Sequence, residues 1–194
     1  MKMDGLPWYA IRVQSKFEQV VSQALRSKGF EEFLPLYAAQ RRWSDRIKRR
    51  DMPLFPGYLF CRLDVRDRLL PILTTPGVMN IVGAGRTPVP VGEEEIAAVR
   101  KVLQSGLAAQ ACPLLSAGSR VYIARGPLAG LEGVIVRGDV ACKLVISVSL
   151  LQRSIAVEID REWARPVVAD SHVDAASGAI GDRRHAGRKV EGSL

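Results

Sequence analysis

Apolar positions change their period several times along the chain, and each change marks a new element. "WYAIRV" (8 to 13) is a run of aromatic and β-branched residues and predicts a strand. From Lys16 to Lys28 the apolar residues Phe17, Val20, Val21, Ala24 and Leu25 recur at helical spacing, and Gly29 stands where such a helix stops. "FEEFLPLY" (30 to 37) predicts a second strand. In "YLFCRLD" (58 to 64), Leu59, Cys61 and Leu63 alternate with Tyr58, Phe60 and Arg62, so the first three are expected to face inward. These two strands are expected to form a hairpin whose tip is the segment between them. Asp64 to Thr75 carries Leu69, Leu70, Ile72 and Leu73 and suits a second helix, provided Pro71 falls in its first turn, where no amide bond is lost. "TPGVMNIVG" gives a turn and a strand. "GEEEIAAVRKVLQSG" gives a third helix, with three carboxylates at its positive end and Ile96, Val99 and Leu103 on one face.

The order β-α-β-β-α-β-α predicts an α+β fold over residues 1 to 104, a ferredoxin-like split β-α-β arrangement with one added helix. Ser105 to Ala117, rich in Ser, Gly, Ala and Pro, reads as a linker, with Leu107, Leu114 and Leu115 able to pack on a neighbouring domain. Residues 118 to 168 hold short strands, "SRVYIARG", "LEGVIVRG", "KLVISVSLL" and "SIAVEID", separated by turn residues. They suit a small all-β barrel. Residues 169 to 194 contain almost no large apolar side chain and are expected to be a disordered tail.

Charge narrows the partners. The net charge is +8 over 194 residues, and 17 of the 28 basic side chains fall within residues 1 to 104. A polyanionic partner follows, with nucleic acid first among them. Six of the ten residues from 41 to 50 are basic: Arg41, Arg42, Arg46, Lys48, Arg49 and Arg50. That density exceeds what solubility needs and makes this segment the candidate nucleic-acid contact, with affinity that falls as salt rises. Trp43 within it either stacks on a base or packs on the sheet.

Catalysis finds little support. Cys61, Cys112 and Cys142 are far apart and odd in number, so neither a disulfide framework nor a paired-cysteine metal motif can be drawn, and a cytoplasmic location is expected. Both histidines, His172 and His185, lie in the expected tail, which leaves no ordered triad and no histidine metal site. No metal, cofactor, enzymatic reaction or membrane span is expected. In "GPLAGLEG" the Lys-Ser/Thr of a phosphate loop is missing, so Gly126, Pro127, Gly130 and Gly133 are read as turn formers between barrel strands. "MPLFPGYLF" (52 to 60), directly behind the basic run, admits two readings. It is a core strand entered through a Pro-Gly turn, or it presents Phe55, Tyr58 and Phe60 as an apolar patch on a sheet face that no helix covers.

"WYAIRVQSKFEQVVSQAL", "PLFPGYLF", "TPGV" and "GSRVYIARGPLAGLEGVIV" together resemble the NusG-like transcription elongation factors, over about residues 8 to 168 and in the family's order. The resemblance implies an N-terminal domain that binds the clamp helices of RNA polymerase, bridges its cleft and suppresses pausing. It implies no enzymatic reaction. By motif, Phe55, Pro56, Tyr58 and Phe60 fall on the polymerase-binding segment, and residues 118 to 168 fall on the KOW barrel, which in relatives recruits a ribosomal protein or the termination factor Rho. "PLFPGYLFCRLD" and "LLQRSIAVEID" look closer to specialised RfaH-like and polysaccharide-locus antiterminators. The residues through which RfaH reads non-template DNA do not match here, so Arg41 to Arg50 stand as the candidate for contact with non-template DNA or nascent RNA. The chain is expected to act as a monomer. A competing reading is an RNA-binding or ribosome-associated KOW module.

Overall fold

The computed structural model describes residues 5–43, 46–113, 118–137 and 142–167, and the expected tail with both histidines lies outside the described residues. The N-terminal domain is built on an antiparallel sheet. Strand β1 (Trp8–Val13) runs into helix α1 (Glu18–Ser27), then the short β2 (Glu32–Phe33). A two-stranded ribbon of β3 (Leu36–Trp43) and β4 (Arg46–Pro53) follows, then β5 (Tyr58–Arg62), helix α2 (Leu69–Leu73) and β6 (Val78–Ile81). Three two-residue strands, β7 (Gly83–Ala84), β8 (Thr87–Pro88) and β9 (Pro90–Val91), lead to helix α3 (Glu93–Gln104).

The main sheet has the order β2-β5-β1-β6, with β9 pairing β1, and β7 and β8 pair only with each other. Every pairing is antiparallel, and β1 lies inside the sheet between β5 and β6. This is the split β-α-β arrangement. Pro71 is the third residue of α2, in its first turn, where its missing amide donor costs nothing. Gly29, at φ +76, ends α1 as its position suggested.

Alternation along β1 and β5 sends two apolar sets to opposite faces of the sheet. Tyr9, Ile11, Val13, Leu59, Cys61 and Leu63 pack with Val21 and Leu25 of α1 and Ile72 of α2. Trp8, Ala10 and Phe60 pack with Leu54, Phe55 and Ile96, Val99 and Val102 of α3. The expectation of an uncovered face is therefore corrected: the third helix covers it. Phe55 is 1% exposed and Phe60 0%, so neither belongs to an open patch, whereas Leu59, Cys61 and Leu63 face inward as expected.

Two further expectations change. The basic run lies at the closed end of a hairpin as expected, but the strands differ: Pro35 interrupts "FEEFLPLY", so only β2 pairs with β5, and the hairpin is a separate ladder from Leu36↔Pro53 to Trp43↔Arg46, half of it made by the run. Residues 109 to 113 of the expected linker form strand β10 (Ala109–Pro113), which pairs with β14. Leu107 packs at the edge of the core as anticipated, while residues 114 to 117, with Leu114 and Leu115, lie outside the described residues.

The C-terminal unit is a small all-β barrel. Its strands after β10 are β11 (Ser119–Ile123), β12 (Glu132–Arg137), β13 (Cys142–Val148), β14 (Arg153–Ile159) and β15 (Ala164–Pro166), in the spatial order β10-β14-β13-β12-β11-β15. Its interior, including Val121, Ile123, Leu128, Leu144, Ile155 and Val157, belongs to the same continuous apolar cluster as the α3 face of the first sheet. Polar contacts flank that junction. The Lys101 ammonium donates to the Ala129 carbonyl, and Glu95 Oε1 accepts from the Ser149 amide at 3.1 Å.

Candidate functional site

Pro56 and Gly57 form the corner that feeds β5. The Tyr58 amide donates to the Phe55 carbonyl at 3.0 Å, and Gly57 sits at φ +82. Proline at the first central position and a left-handed glycine at the second define a type II turn. The turn is tied to the sheet and to α1 at both polar atoms of Gly57. Its carbonyl accepts from the Val13 amide at 2.8 Å, and its amide donates to Glu18 Oε1 at 2.9 Å.

Under the turn lies an aromatic floor. Phe55 meets Phe60 edge-on with centroids 5.8 Å apart, Phe60 stacks on Phe33 at 6.1 Å, and Phe33 meets Trp8 edge-on at 6.5 Å. Of the four residues assigned by motif, Phe55 and Phe60 thus form the floor, Pro56 is exposed and Tyr58 is half-buried. Beside Tyr58 the sheet register sets Arg12, and Arg12 in turn opposes Asn80, so an exposed polar row continues across the same face.

A charged network holds the far end of this face. The Arg62 guanidinium lies 4.7 Å from the Trp8 ring centroid, with Nη2 2.7 Å from Glu93 Oε1. Its Nε is 3.1 Å from Glu31 Oε2, an ion-pair contact outside hydrogen-bond geometry. Arg100 covers Trp8 and Phe33 at 4.8 and 4.9 Å. These arginines fix α3 and β2 over the aromatic floor, and the sequence alone offered no signal for the pairing.

The basic ribbon adopts a regular register. Lys48 stands opposite Arg41, Arg49 opposite Gln40, Ile47 opposite Arg42 and Arg46 opposite Trp43. With strand alternation, positions 41, 43, 46, 48 and 50 fall on one face of the ribbon and positions 42 and 49 on the other. Arg50 is exposed, and the side chains at 40 to 49 lie outside the described residues.

The barrel glycines have steric reasons. Gly126 (φ +79) lies against the Trp163 ring, where a Cβ would approach to 2.8 Å, and Gly133 has the Val145 carbonyl at the same distance. Gly130 turns at φ +90, and Pro127 is exposed in that loop. Gly126, Pro127 and Gly130 thus lie in a turn as expected, whereas Gly133 is corrected to a position within β12, opposite Val121, where close packing and not a turn favours glycine. Among the described residues no group of three or more His, Cys, Asp or Glu could hold a metal ion, and no helix is long and apolar enough to cross a membrane. Burial, with the Glu32 carboxylate adding to it, pushes the Cys61 thiol up to about 12, so it is a neutral core side chain at ordinary pH.

The contact at this turn that sequence reasoning missed is Glu18. It sits in the first turn of α1, where an acid is unremarkable, and its partner lies 39 residues away.

Comparison with known proteins agrees with this architecture. Residues 6–100 match the family described as "Transcription termination factor nusG". The transcription termination/antitermination protein NusG of Deinococcus radiodurans is 34% identical over 135 residues, covering 59% of this chain and 67% of the relative. Those of Borreliella burgdorferi and Thermus thermophilus are each 27% identical, covering 79% and 80% of this chain and 94% and 96% of their own lengths. A solved structure described as "Domain interaction in Thermotoga maritima NusG" superposes with a TM-score of 0.54 at 20% identity, covering 86% of this chain and all of that one, and shares the fold. With a relative at 34% identity matched over two thirds of its length, the chain belongs to the NusG family of transcription termination/antitermination proteins.

Proposed function

We propose that this chain is a non-enzymatic elongation or antitermination factor that binds the clamp helices of RNA polymerase through its N-terminal domain and suppresses pausing or termination. The barrel then recruits a second partner, a ribosomal protein or Rho. The observation that carries the docking reading is the exposed Pro56 and half-buried Tyr58, held on a rigid aromatic floor by a type II turn. Rigid apolar side chains with little left to order on binding are what a docking surface needs. Phe55 and Phe60 contribute by supporting this corner from below.

The second contact is electrostatic. Five of the ribbon's basic residues, Arg41, Arg42, Arg46, Lys48 and Arg49, lie in the paired strands outside the main sheet with the exposed Arg50, which suits phosphate contact with non-template DNA or nascent RNA. Such contacts give affinity without choosing a sequence.

The test of docking is capture of RNA polymerase by the full chain and by a Pro56→Ala, Tyr58→Ala variant. Phe55→Ala is a poor probe, because its burial makes loss of folding the expected result. Loss of capture by a variant that remains folded is expected. Undiminished capture would remove the assigned surface.

A further inference from the structure

We propose that Glu18 is a positioning residue for polymerase docking: from α1 it holds the Pro56–Gly57 peptide in the orientation that presents Pro56 and Tyr58. The proposal rests on the docking reading above and deepens it. Type I and type II turns differ by a flip of their central peptide, and here that peptide carries the Gly57 amide that Glu18 Oε1 accepts at 2.9 Å. A flipped peptide would turn the Pro56 carbonyl toward the carboxylate and replace an attraction with a repulsion. Glu18 therefore selects the type II form, and Gly57 at φ +82 is the backbone consequence.

Its setting agrees with that role. Glu18 is only 5% exposed, and a carboxylate withdrawn from water is costly unless it accepts strong hydrogen bonds. The turn's other tie, Val13 amide to Gly57 carbonyl, fixes the peptide after Gly57 and leaves the central one to Glu18. A Cβ at Gly57 would have only ordinary contact, 3.6 Å from the Val13 carbonyl, so crowding does not dictate the conformation. Glu18 and Pro56 also line one open crevice beside the base of β4, which puts the carboxylate next to the docking corner.

The experiment measures polymerase affinity for the full-length chain and for Glu18→Ala, Glu18→Gln, Tyr58→Ala and the Glu18→Ala, Tyr58→Ala pair, with amide exchange at Gly57 read in parallel. Glu18→Ala is expected to weaken binding by about tenfold, the effect of losing a hydrogen bond to a charged group. Glutamine keeps a neutral acceptor and is expected to lose no more than about threefold. Because Glu18 acts through the turn, which also presents Pro56, adding Glu18→Ala to Tyr58→Ala should cost less than Glu18→Ala costs in the parent. The Gly57 amide, protected in the parent, should exchange rapidly in Glu18→Ala; should that variant fold poorly, Glu18→Gln and its Gly57 exchange carry the test. Additive losses, glutamine failing as badly as alanine, or a Gly57 amide still protected in Glu18→Ala would each overturn the proposal. Parent-like binding by Glu18→Ala alone overturns it while leaving the docking reading in place, whereas parent-like binding by the Pro56→Ala, Tyr58→Ala variant of the docking test removes both.

Discussion

The two faces of the N-terminal sheet are equally apolar and do different work. The face of Tyr9, Ile11, Leu59 and Cys61 is closed by α1 and α2, and its core ends within the first domain. The face of Trp8, Ala10 and Phe60 is closed by α3, continues into the barrel interior and carries the aromatic floor beneath the Pro56–Gly57 turn. The first face stabilises one domain. The second ties a stable interior to a surface corner and to the neighbouring domain, so a change there is felt in more than one place.

Matched truncations sharpen that contrast. Phe60→Ala should cost about 3–5 kcal/mol of stability and also weaken polymerase capture under conditions where the variant remains folded. Leu59→Ala, one residue away on the opposite face, should cost about 2–5 kcal/mol and leave capture by the folded fraction unchanged. Chemical denaturation paired with capture at low temperature checks both, and an equal effect on capture would erase the distinction between the faces.

The ribbon offers the next largest effect. Arg41→Ala with Lys48→Ala, opposite each other in the register, should weaken single-stranded nucleic-acid binding and reduce the slope of log affinity against log salt by about 1.4. Fluorescence anisotropy across a salt series reads this directly. A weaker affinity with the same slope would argue against phosphate contact.

The smallest effect belongs to Cys61 in the closed face. Its thiol titrates at about 12 against a usual 9.0, so between those values the unfolded chain releases a proton that the folded chain keeps. Stability from this group is complete below pH 9.0, then declines as pH rises toward 12. Cys61→Ser should flatten that decline in a pH series of thermal melts, and native Cys61 should resist alkylation near pH 8.

Much of the fold was legible because its strongest signals are local. The alternation of β1 and β5, the helical spacing of α1 and the acidic first turn of α3 each identify an element from its own residues, and their order implies the split β-α-β sheet. What α3 covers is a tertiary fact. The same apolar Phe60 reads as an open patch or a buried one depending on a helix that begins 33 residues later, and only packing decides. The basic run carried a clear charge signal and little conformational signal, so its ladder was missed. Ala109 to Pro113 resembled a linker because its small residues carry little strand propensity, yet pairing with β14 orders them. The Glu18–Gly57 contact was invisible for the same reason: it joins a helix start to a distant turn through one hydrogen bond.

The most direct test of the account is the affinity of the full-length Pro56→Ala, Tyr58→Ala variant for RNA polymerase, measured beside its melting temperature. The account predicts a large loss of affinity with the variant still folded and its melting temperature lowered only modestly, because Pro56 is exposed and Tyr58, which packs against the core, is only half-buried. Parent-like affinity would contradict it, since polymerase would then be held by some other part of the molecule.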